Sequence, residues 1–67
     1  MNDETTWVPV YIKHETDLAI LCGEDENDPK PVWVPKSQII DSTDDLNIGS
    51  DVEIEMPVWL AEEKGLI

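Results

Sequence analysis

Apolar and polar residues alternate most cleanly over "DVEIEM", residues 51–56. Val52, Ile54 and Met56 fall on one side, and Asp51, Glu53 and Glu55 on the other. A period of two is that of a strand with one buried face and one wet face. "WVPVYIK", 7–13, is rich in β-branched and aromatic residues and predicts another strand. Pro9 cannot donate to a ladder, so this strand is expected at a sheet edge, or Pro9 at its start. "HETD", 14–17, predicts a turn. "LAILCG", 18–23, is apolar on both faces and predicts a short central strand ended by Gly23. "PVWVPK", 31–36, predicts a strand with Val32 and Val34 on one side and Trp33 on the other. Pro35 keeps Val34 extended. "SQII", 37–40, continues the strand or makes one helical turn.

Between these strands lie two acidic turn regions. "EDENDPK", 24–30, carries Asn, Asp and Pro, and its charges repel one another in the open. "DSTDDLNIGS", 41–50, is polar except for Leu46 and Ile48, which are expected to tuck against the core. Gly49 suits a tight turn. At Pro57 the period changes. Pro57 fits a first helical position and Gly65 after Lys64 fits a stop, which predicts a short helix over about 57–64. Residues 1–6 are polar and expected to be loose. Residues 7–67 then form a single small, mainly β domain of about four strands with one short C-terminal helix. An SH3-like, partly open barrel is the leading architecture, and an antiparallel sheet with one packed helix is the second.

Charge sharpens the picture. Sixteen acids face four lysines and no arginine, a net charge of −12. Contact with a phosphate backbone needs cations, so direct nucleic-acid binding is disfavoured, as is an anionic membrane surface. A basic protein surface is the complementary partner; the plain alternative is a solvated exterior. Cys22 is the only cysteine, which excludes an internal disulfide, and its apolar setting predicts a buried structural thiol. The acidic opening "MNDETT" is unlike a secretion signal, and no apolar run approaches membrane-spanning length. A cytoplasmic location is the resulting expectation.

Candidate chemistry is sparse. "EDENDP" and "DSTDD" are oxygen-rich but lack the spaced Asp-x-Asp/Asn pattern and distal Glu of a calcium loop. His14 beside Glu15 makes no triad. Ser37 after Lys36 is expected to be a turn or cap hydroxyl, because neighbours on a strand face opposite sides. The glycines are isolated, so no phosphate loop exists. Enzyme activity, metals and cofactors are therefore not expected. Trp7, Trp33 and Trp59 are evenly spaced, but a strand, a turn and a helix follow them, so the spacing is not a repeat. The three indoles are expected to dominate the core or one exposed patch.

"VWVPKSQII" and "MPVWLAEEKGLI" resemble small bacteriophage and prophage proteins. Those carry a W-[VI]-P-K-S-Q-[IV] segment and end in P-x-W-L-A-E-x-K-G-L. The matching positions are Trp33, Pro35, Lys36, Ser37 and Gln38, with Trp59 and Leu60, in segments covering about a third of the chain. The resemblance implies a phage or mobile-element setting and a small β-rich fold, with no catalytic residue or ligand to carry over.

The leading expectation is a non-enzymatic binding protein. Glu24, Asp25, Glu26 and Asp28 in the first acidic loop, with Glu53 and Glu55 on the last strand, would face a basic surface of another protein. In a phage setting this could be the nucleic-acid groove of a host or defence protein, mimicked by carboxylates. One alternative is a single-strand nucleic-acid module in which Trp33 stacks on bases beside Lys36 and Gln38; against it stands Trp33 as a core residue of a strand running into a turn. Another is a homo-oligomeric structural protein.

Overall fold

A computed structural model describes residues 4–67. Five antiparallel strands form one open sheet: β1 (Thr5–Glu15), β2 (Ala19–Gly23), β3 (Val32–Pro35), β4 (Asp41–Ser42) and β5 (Asp51–Pro57). Their order across the sheet is β3-β2-β1-β5-β4. A 3₁₀ turn (Lys36–Gln38) follows β3, and a helix, α1 (Val58–Glu63), follows β5. The fold is mainly β, as the sequence predicts. The edges β3 and β4 do not pair with each other, so the arrangement is a sheet with a packed helix rather than a closed barrel.

The sheet buries one face. Val8, Val10 and Ile12 of β1 point inward with Ile20 and Cys22 of β2, Val34 of β3, and Val52, Ile54 and Met56 of β5. Leu60 and Ala61 of α1 close this layer, with Val32, Ile39, Leu46 and Leu66 packed at its margins. Burial of such aliphatic side chains, about 1.5–3 kcal/mol each, drives the fold. The core is aliphatic and contains no indole. Trp7 and Trp33 are each 43% exposed and Trp59 is 48% exposed. Of the two places expected for the indoles, the core is excluded, and Trp33 is not a core residue. Ile48 is also exposed, whereas Leu46 tucks in as expected.

Pro9 is not on an edge strand, because β1 is the middle strand. The register explains the tolerance. Pro9 pairs with Glu53 on β5. Both backbone groups of Glu53 face β4: its N–H donates to Thr43 Oγ1 (3.0 Å) and its carbonyl accepts from Thr43 N–H (2.9 Å). Pro9 therefore sits in a non-hydrogen-bonded pair with its nitrogen turned away from β5. On that other side β2 has already ended, its last pairing being Gly23 with Tyr11. The missing donor costs no ladder bond.

Three further differences concern boundaries. The strand begins at Thr5, so Thr5 and Thr6 are not loose; residues 1–3 of the expected mobile segment lie outside the described residues. The turn expected from His14 starts later, because β1 continues to Glu15 through a register shift between Ile12 and His14. The extra residue, Lys13, puts His14 opposite Leu21 on the outer face rather than in the core. Within the second acidic region, Asp41 and Ser42 form a two-residue strand on β5.

α1 starts one residue later than expected, with Pro57 as its cap. It stops as expected. Gly65 has φ +72°, Leu66 N–H donates to Ala61 O (2.8 Å), and Gly65 N–H donates to Glu62 O (3.1 Å). This pair of bonds is a Schellman motif, whose left-handed residue favours glycine. No helix among the described residues is long and apolar enough to cross a membrane.

Candidate protein-binding surface

The outer face of the sheet is built from rows of register partners. Asp41 of β4, Glu55 of β5 and Trp7 of β1 form one row. Glu53 and Pro9 form the next, with Thr43 beyond them. Asp51, Tyr11 and Gly23 form the third. At the far end, His14, Leu21 and Trp33 line up across β1, β2 and β3. The His14 and Trp33 rings meet edge to face with centroids 6.2 Å apart.

Charge divides this face. Asp41, Asp44, Asp45, Asp51, Glu53 and Glu55 lie within residues 41–55, and no lysine occurs between Lys36 and Lys64. Glu24 reaches the same region from the β2–β3 loop. Together with Asp51 and Glu53 it lines a shallow groove of about 320 Å³ over Pro9 and Thr43, with no cation in its wall. Two of the loop and strand acids expected at the site thus converge: Glu24 and Glu53. Glu55 lies one row away, and its Oε2 accepts a hydrogen bond from Thr5 Oγ1 (2.7 Å). Asp25 and Glu26 are exposed on the loop, but neither lines the groove. Asp25 Oδ1 accepts the Asn27 N–H (2.8 Å), which tightens the turn.

Asp28 has a different role. Its two carboxylate oxygens accept the N–H groups of Glu24 (2.9 Å) and Lys30 (2.9 Å). These bonds, helped by the nearby Lys13 ammonium, hold its carboxyl below the ordinary carboxylate range. Lys13 Nζ also donates to the Asp28 carbonyl (3.0 Å). Asp28 therefore shapes the loop that carries Glu24. Sequence reasoning missed Asp41 as part of the surface, because a two-residue polar strand has no periodicity to detect. Asp51 was legible as outward-facing from the alternation in 51–56.

The residues of the nucleic-acid alternative are not brought together. Trp33 stands on the outer face. Lys36 Nζ pairs with Glu15 Oε2 at 2.7 Å, and Glu15 is the register partner of inward-facing Ile20. Lys36 is thus engaged on the other side of the sheet. Gln38 is half-buried in the 3₁₀ turn.

Cys22 is fully buried, and desolvation pushes its thiol up to about 12, so no thiolate exists at neutral pH. Among the described residues no group of three or more His, Cys, Asp or Glu side chains is placed to hold a metal ion. No family model, curated protein or solved structure matches the chain.

Proposed function

We propose that this protein is a non-enzymatic binding protein whose acidic outer face engages a basic surface on another protein. The observation that carries the reading is the convergence of Glu24, Asp51 and Glu53 on one groove without a cation, on the half of the sheet that also carries Asp41 and Glu55. Like charges gathered on a rigid sheet strengthen one another's field and steer a cationic partner. The chain holds them together because the opposite face of the same strands, not the acids, supplies the folding energy.

The resemblance of "WVPKSQI" and "PVWLAEEKGL" to phage and prophage proteins supports a mobile-element setting. There the partner would be a nucleic-acid-binding protein of the host, with the carboxylates taking the place of phosphates. Competition tests this. A protein captured by the full chain should be displaced by added duplex DNA, and capture should fail with a variant combining Asp51→Asn and Glu53→Gln. A partner that binds the chain and DNA simultaneously would refute the mimicry, and undiminished capture by the variant would refute the acidic-face reading.

A further inference from the structure

A second groove, which meets the acidic one at Pro9 and Glu24, lies at the corner where β2 stops short alongside β1. Its volume is about 590 Å³, within the range of ligand-binding clefts. Pro9, Val32 and Leu66 contribute apolar surface to it, with Cys22 buried beneath. Lys30 from the β2–β3 loop and Lys64 from the end of α1 also line it, as do the acids Glu24 and Asp28.

Three independent features meet here. The first is an open backbone edge inside the sheet. β1 pairs with β5 from Thr5 to Tyr11, but β2 joins it only from Tyr11 onward. Trp7 and Pro9 pair with Glu55 and Glu53, whose carbonyls are taken by Ile40 and Thr43 on the β4 side. The Trp7 N–H and the Trp7 and Pro9 carbonyls thus face the gap beyond β2. The second is charge. Lys13 donates to the Asp28 carbonyl and Lys36 pairs with Glu15, so Lys30 and Lys64 are the lysines whose ammonium groups make no hydrogen bond or ion pair among the described residues, and both line this groove. The third is the apolar strip of Val32 and Leu66. Of the two acids in the wall, Asp28 is committed to two backbone N–H groups, and Glu24 stands on the side shared with the acidic groove.

We propose that this corner binds the extended C-terminal segment of a partner chain that ends in an apolar residue. The segment lies as an added strand against Trp7 and Pro9, a mode in which main-chain bonds give affinity and side-chain pockets give specificity. Its last apolar side chain rests on Val32 and Leu66. Its terminal carboxylate takes charge-assisted hydrogen bonds from Lys30 and Lys64. A proline in the host strand removes one donor, so the guest supplies the N–H at that position and Pro9 accepts.

The test uses the full ¹⁵N-labelled chain and an N-acetylated Ala-Val-Ile-Leu peptide, with its C-terminal amide as control. The acid form should shift the amides of Trp7, Val10, Gly23, Val32 and Leu66 saturably. Amidation should weaken binding roughly tenfold, and Lys30→Gln with Lys64→Gln should produce the same loss for the acid form only. Lys30 is exposed and Lys64 half-buried, and unchanged chemical shifts in the core verify the variant's fold. Asp51→Asn with Glu53→Gln should leave peptide binding intact, which separates this site from the carboxylates that line the acidic groove alone. Equal binding of acid and amide, shifts centred on Trp33 instead, or no shifts at all would overturn the proposal.

Discussion

The two faces of β5 differ in every alternate residue. Val52, Ile54 and Met56 are buried to 5% exposure or less, while Asp51 and Glu53 are exposed and Glu55 is half-exposed. One strand therefore has two separate jobs. Its inward side carries the free energy of folding, and its outward side adds charge repulsion that folding must overcome. Such an arrangement lets the outer face be chosen for recognition, because little of the stability depends on it.

The largest effect is expected on the inner face. Ile54 is fully buried, and Ile54→Ala should cost about 2–5 kcal/mol. A domain of this length holds on the order of 3–10 kcal/mol in all. Thermal or urea unfolding should show the variant largely unfolded or close to it; a loss below about 1 kcal/mol would mean that the aliphatic layer is not the source of stability.

Next comes the stop of α1. Gly65→Ala places a Cβ on a residue at φ +72°, with a cost of about 1–2 kcal/mol. An unchanged urea midpoint would show that the C-terminal turn contributes nothing to holding Leu60 and Ala61 on the sheet.

Asp28, unlike the acids of the outer face, belongs to the fold. Its carboxyl is held below the ordinary range by the Glu24 and Lys30 N–H groups and by Lys13. A depressed folded value means that its stabilisation is present above the unfolded value of about 4. It is lost as pH falls from there through the lower folded value. Native protein should exceed Asp28→Ala in stability at neutral pH, and the gap should close with acidification over that window. A gap independent of pH would remove the charge of Asp28 from the account.

The smallest effect belongs to the outer face. Glu53→Gln should change stability by less than about 0.5 kcal/mol, and in the stabilising direction, since it relieves repulsion with neighbouring carboxylates. A substantial destabilisation would show that this acid is structural.

Much of this division was legible in the sequence. The alternation at 51–56 predicts both faces of β5, and Gly65 predicts the end of α1. The pairing of Val32 with Val34 predicts their common side. What the pattern does not contain is which rows are covered. Trp33 has the size of a core residue, yet it alternates with two valines that already occupy the buried side, so its ring is left on the outer one. The bulge at Lys13, which carries β1 past the expected turn and sets His14 on the outer face, has no periodic signal. Pro9 argues for an edge, and only the length of β2 shows that a local edge exists inside the sheet. Of the candidate site, Glu53 and Glu55 follow from alternation. The approach of Glu24 and the loop-building role of Asp28 depend on backbone N–H groups that composition does not reveal.

Binding of a basic partner by the acidic face should be sensitive to ionic strength, and stepped-salt capture reads that sensitivity. The full chain and the Asp51→Asn, Glu53→Gln, Glu55→Gln variant are immobilised in parallel and challenged with bacterial lysate. A protein should be retained by the native chain alone at low salt and released before physiological ionic strength is far exceeded, as screening shortens the reach of surface charge. A partner held equally by both chains, or one indifferent to salt, would contradict binding through the acidic face.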